Sequence, residues 1–84
     1  MDSNLITLDK LMPGQKAVIK KIDPKSLLKK RLKEIGIREG KEIFMKRNAP
    51  LGDPMEISVM GYNVSLRKNE AASVYIELIE GKIE

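Results

Sequence analysis

Asn48-Ala49-Pro50-Leu51-Gly52-Asp53-Pro54 holds two of the four prolines of this 84-residue chain and divides a basic half from a mildly acidic one. Proline fixes φ and biases the preceding residue to extended geometry, so Ala49 and Asp53 are expected to be extended. Gly52 supplies the positive φ of a tight reversal. The stretch reads as a shaped loop between two strands, with apolar Leu51 near its tip. The plainer alternative is an ordinary loop whose leucine folds back onto the core.

Outward from that loop, both flanks alternate as half-buried strands do. Upstream, from Lys41 to Arg47, Ile43 and Met45 share one face while Glu42, Phe44 and Lys46 share the other. Phe44 on the polar face is awkward and marks either a cover over a small core or a contact surface. Downstream, Met55, Ile57 and Val59 alternate with Glu56, Ser58 and Met60. Gly61-Tyr62-Asn63 is expected to turn the chain into a second strand carrying Val64 and Leu66, which makes a hairpin. Asn69-Glu70-Ala71-Ala72 reads as a capped single turn. Val74, Ile76 and Leu78 then form the buried face of a last strand opposite Tyr75, Glu77 and Ile79, and residues 80–84 are expected to fray.

Further from the loop, Lys16 to Ile22 is rich in β-branched residues and reads as the first strand. Asp23-Pro24 pairs a capping carboxylate with proline at the first helical position, which predicts a helix from Pro24 to Ile35 ending at Gly36. Leu27, Leu28, Leu32 and Ile35 gather on one side of it, and Lys25, Lys29, Lys30 and Lys33 cover the other. Arg31 falls within the apolar arc, so it must snorkel or be paired, with Asp53 and Glu70 as candidate partners. Before the first strand, Thr7 caps a single helical turn that buries Leu8 and Leu11, and Pro13-Gly14 breaks the chain.

Five short strands and one helix in so short a chain leave open edges unless the sheet curls. The expected fold is therefore mainly β, a small five-stranded, partly open barrel with one helix inserted after the first strand. Residues 1–84 are expected to form one domain with frayed ends.

Composition narrows the chemistry. The chain has no cysteine and no histidine, so it lacks the thiolate, the commonest general base and the commonest zinc or iron ligand. No catalytic residue, cofactor site or metal site is identified, and Met12, Met45, Met55 and Met60 read as core filler rather than a soft-metal site. The N-terminus lacks the basic start and apolar run of a secretion signal, and no run is long enough to span a membrane, so the cytoplasm is the expected location. Between Lys16 and Arg47 there are twelve basic and four acidic residues, a net of +8, against three and six from Gly52 onward, a net of −3. That asymmetry raises nucleic-acid binding, but Phe44, Tyr62 and Tyr75 are the only aromatics and do not interleave as base-stacking residues do.

The order Leu8…Leu11…Pro13-Gly14, Arg31-Leu32…Ile35-Gly36-Ile37…Gly40, Ala49-Pro50-Leu51-Gly52-Asp53-Pro54, then Leu66-Arg67…Glu70-Ala71 resembles the FeoA family from about Leu5 to Leu78. The resemblance implies an SH3-like barrel and a non-enzymatic, accessory role in bacterial ferrous iron transport. The implied partner is FeoB, the membrane transporter with a cytosolic GTP-binding domain. SH3-like barrels often bind extended peptides between loops against apolar side chains, which makes Phe44, Pro50, Leu51, Gly52, Asp53, Pro54 and Tyr62 candidate partner-binding residues. Arg31, Leu32, Gly36, Gly40, Leu66, Arg67 and Glu70 are marked as a structural motif. Of the motif residues, Arg31, Gly36, Pro50, Gly52 and Pro54 are read first as holding the fold and the loop's shape.

Three alternatives stay open: a small basic barrel that binds nucleic acid, a free-standing relative of the SH3-like domain of iron-dependent repressors, and a weak transition-metal binder. Self-association is also open, because Phe44, Met60 and Ile79 all point to faces otherwise solvated.

Overall fold

The computed structural model describes residues 5–48 and 52–80, apart from the side chain of Glu80. Ala49, Pro50 and Leu51, the centre of the loop singled out above, lie outside the described residues. Among the described residues six strands appear rather than five: β1 (Leu5–Thr7), β2 (Lys16–Ile22), β3 (Glu42–Asn48), β4 (Met55–Val59), β5 (Tyr62–Leu66) and β6 (Val74–Glu80). They form one antiparallel sheet in the order β1-β6-β2-β3-β4-β5, with β1 and β5 at its open edges. The additional strand is β1, whose Leu5, Ile6 and Thr7 pair with Glu77, Ile76 and Tyr75. Three residues carry too little pattern to announce a strand, and only the distant β6 makes them one. The helix α1 therefore follows the second strand.

The opening is otherwise as its residues suggest. A single 3-10 turn, Leu8–Lys10, follows Thr7 and buries Leu8, with Leu11 buried just beyond. Thr7 precedes that turn without a capping side-chain hydrogen bond. The core is the inner face of the sheet: Ala17, Ile19 and Ile22 of β2, Ile43 and Met45 of β3, Met55, Ile57 and Val59 of β4, Leu66 of β5, and Val74 and Ile76 of β6. Leu78, expected there, is exposed. It pairs with Ala17 across a register irregularity between β2 and β6, near the end of the sheet. Met12 and Met60 are exposed too, so of the four methionines read as core filler Met45 and Met55 fill the core.

The first helix is shorter than its pattern predicts: α1 spans Lys29–Glu34. Asp23 does not cap it. Its Oδ1 accepts the Lys25 N–H at 2.9 Å, and Ser26 Oγ accepts the Leu28 N–H at 3.0 Å. Short polar side chains have satisfied the local backbone in turns and delayed the helix by about one turn. Leu32 becomes its one buried residue, while Leu28 and Ile35 are half-buried. Leu27, assigned to the same face, is 99% exposed. The C-terminus is as expected: Gly36 has φ +100°, its N–H bonds Lys33 O at 3.1 Å, and the Ile37 N–H bonds Leu32 O at 2.8 Å. These two bonds, closed over buried Leu32 and Ile37, make a Schellman cap.

The hairpin turn is displaced by one residue from its expected place. Val59 pairs with Tyr62, so the two-residue loop is Met60-Gly61, and Tyr62 and Asn63 belong to β5. Both loop residues have positive φ, 53° at Met60 and 84° at Gly61. This is the arrangement that matches the twist of paired strands.

Candidate interaction surface

The sheet separates the residues that the sequence groups together. The loop carrying Gly52, Asp53 and Pro54 joins the far ends of β3 and β4, where Asn48 pairs with Met55. Phe44 and Tyr62 lie toward the other end, beside the Met60-Gly61 turn, with Phe44 opposite Ser58 and Tyr62 opposite Val59. Adjacent strand positions face opposite sides, so Phe44 is on the outer face and Tyr62 on the core-side face beyond the core's edge. Phe44, Met60 and Tyr62 are exposed, at 40%, 55% and 72%.

Met60 joins the two sides. Its turn borders an outer-face groove of about 310 Å³ lined with Lys16, Glu42, Phe44 and Ser58. It also borders a second groove of about 250 Å³, formed against the end of α1 by Lys33, Ile35, Gly36, Arg38 and Tyr62. A Cβ on Gly36 would lie 3.9 Å from the Met60 sulfur, so the helix terminus and hairpin tip are in close approach. Sequence reading placed Met60 in a strand and missed this. The available signal was the Met60-Gly61 pair at two-residue hairpin spacing.

Away from the hairpin, three of the residues marked as structural, Arg31, Arg67 and Glu70, form a hydrogen-bonded cluster. Glu70, 7% exposed, accepts from Arg31 Nη1 at 2.6 Å through Oε2 and from the Arg67 N–H at 2.9 Å through Oε1. The second contact closes the start of α2 (Lys68–Ala71). The first answers the expectation that Arg31 would find a partner in the later half of the chain. Asp53, the other candidate, instead accepts the Lys68 N–H at 3.0 Å. Gly52 has φ +90°, as its turn requires, and the Asp53–Pro54 peptide bond is cis. Leu66 is buried beside this cluster, and Gly40 at φ +87° donates to Ile19 O at 2.7 Å.

Among the described residues no three acidic side chains converge as a metal site. The exposed groups are apolar side chains at the hairpin and cations along α1. No helix among the described residues is long and apolar enough to cross a membrane.

This architecture is that of a small SH3-like domain. Residues 6–78 match the family model for the FeoA domain, and the chain belongs to the FeoA family. It is 42% identical over 72 residues to an Fe(2+) transport protein A/Fe(2+) transporter FeoB fusion protein of Porphyromonas gingivalis. The match covers 86% of this chain and 8% of that much longer relative. Its fold is similar to the NMR structure of a FeoA-like protein from Clostridium acetobutylicum, with a TM-score of 0.90 at 30% identity, over 98% of this chain and 95% of that one. It is also similar to Stenotrophomonas maltophilia FeoA complexed with zinc, described as a prokaryotic SH3 domain protein. That TM-score is 0.74 at 28% identity, with 86% and 89% of the two chains covered.

Proposed function

We propose that this chain is a non-enzymatic accessory protein of ferrous iron uptake, acting in the cytoplasm as one domain that docks on the cytosolic part of an FeoB-type transporter. The observation that carries the reading is the fusion relative, in which a segment 42% identical to this chain is joined to FeoB. A fused arrangement keeps two modules at high effective concentration, which favours an interface between the FeoA-type segment and FeoB. The chemistry of the sequence agrees, since a chain without histidine or cysteine has few routes to catalysis or tight ferrous iron binding.

Phe44, Met60 and Tyr62 are the best candidates for that interface, because they expose apolar area around one rigid turn. The loop through Gly52, Asp53 and Pro54 is the second candidate and lies at the other end of β3 and β4. An amide-resolved NMR titration with the cytosolic GTP-binding domain of the cognate FeoB separates the two. Shifts at Phe44 and residues 58–62 are expected, with duplex DNA at the same salt as control. No binding to that domain or to detergent-solubilised full-length FeoB would overturn the reading. A salt-sensitive response to DNA alone would replace it with a nucleic-acid role.

A further inference from the structure

Leu27 stands in water at the corner where β2 gives way to α1, 99% exposed, in a domain whose other leucines are mostly packed against the core. Its surroundings are cationic. From Lys20 to Lys33 the chain has seven basic residues and one acidic residue, Asp23. Two of the cations are matched within the fold, Lys20 by Glu77 at 3.5 Å and Arg31 by Glu70. Among the described residues, Lys21, Lys25, Lys29, Lys30 and Lys33 have no ion-pair partner. Asp23 accepts the Lys25 N–H at 2.9 Å and has no ion-pair partner among the described residues. Lys29 and Lys33, one helical turn apart, also line a cleft of about 280 Å³ with Ile22, Arg38 and Glu39.

A protein partner usually offers an apolar centre to an apolar patch. Between Ile22 and Ile43 no large hydrophobic side chain other than Leu27 is exposed. One exposed apolar side chain in a lysine-rich segment fits a different counterpart, an apolar medium lying a few ångströms beneath a layer of negative charge. We infer that this corner is a peripheral membrane contact selective for anionic phospholipids. Leu27 enters the boundary between headgroups and acyl chains, the lysines meet the surface charge, and the cleft between Lys29, Lys33 and Arg38 receives a lipid phosphate. The contact involves only this chain and lipid, so it stands or falls separately from docking on FeoB.

The test is co-sedimentation of the purified protein with phosphatidylcholine vesicles, with and without phosphatidylglycerol. Binding is expected only with phosphatidylglycerol and should fall as salt is raised. Leu27→Ser leaves charge and core untouched and should weaken binding about fivefold or more. Reversing Lys29 and Lys33 together to Glu should weaken it about 100-fold or more. Absence of binding by the folded wild-type chain would overturn the inference. So would full binding by Leu27→Ser, since charge alone would then suffice. Duplex DNA bound as tightly at the same salt, with no dependence on Leu27, would reduce the face to a general polyanion surface. Capture of FeoB's cytosolic domain by these lysines without vesicle binding would assign it to an acidic protein instead.

Discussion

The guanidinium of Arg31 and the carboxylate of Glu70 meet at 2.6 Å across 39 positions of sequence, tying α1 to the start of α2. The two ends of the pair are unequal: the Arg31 side chain is 56% exposed, and that of Glu70 is 9% exposed. Glu70 also holds the Arg67 N–H. Removing the carboxylate therefore frees two donors, whereas removing the guanidinium leaves Glu70 one backbone partner. Glu70→Ala is expected to cost about 1–3 kcal/mol, and Arg31→Ala about 1 kcal/mol after allowance for its solvent exposure. Urea unfolding of both variants and the double variant checks the order and the coupling. Equal losses for the two single variants would contradict it.

Met60 occupies a left-handed position in a two-residue turn, where asparagine is better suited than a long side chain. Met60→Asn should stabilise the domain by about 0.5–1 kcal/mol. The same exchange removes the apolar tip proposed to contact FeoB, so affinity should fall as thermal stability rises. Thermal unfolding and the FeoB titration on the same variant provide both readouts. A parallel fall in the two would show that Met60 serves the fold instead.

Leu27 and Leu32 are both leucines near or within one short helix, with opposite environments. Leu32→Ala should cost about 2–5 kcal/mol, because it opens a cavity beneath the helix and its C-terminal cap. Leu27→Ala should change stability by less than about 0.5 kcal/mol. Denaturation midpoints of the two variants test this directly.

Asp53 binds the first N–H of α2 across 15 residues, in the manner of a helix cap supplied from a distance. Asp53→Ala should destabilise the domain by about 0.5–1 kcal/mol, and Asp53→Asn by less, since the amide oxygen still accepts. Hydrogen exchange at the Lys68 amide is the local readout, and it should quicken in the alanine variant.

Strand alternation was legible in Ile43 and Met45, in Met55, Ile57 and Val59, and in Val74 and Ile76, because period-two burial is a local property of each segment. The same holds for the helix end at Gly36, where the left-handed backbone itself selects the residue. The exposure of Phe44 was legible too, since it stands on an otherwise polar strand face. Helix length was not legible. Asp23 and Ser26 have two local options, capping a helix or closing turns, and their identities do not choose between them. Once the turns form, Leu27 leaves the apolar face that helical periodicity gave it.

The sequence by itself thus determined the mainly β class, the inner face of most strands, the basic first half and the exclusion of histidine or cysteine chemistry. Only the tertiary structure decided that Leu5–Thr7 is a strand, that Glu70 and not Asp53 meets Arg31, and that Phe44 lies far along the sheet from Asp53. Each depends on which distant segments pair and in what register. A one-residue change in that register reverses the face of every side chain in a strand without altering its local pattern.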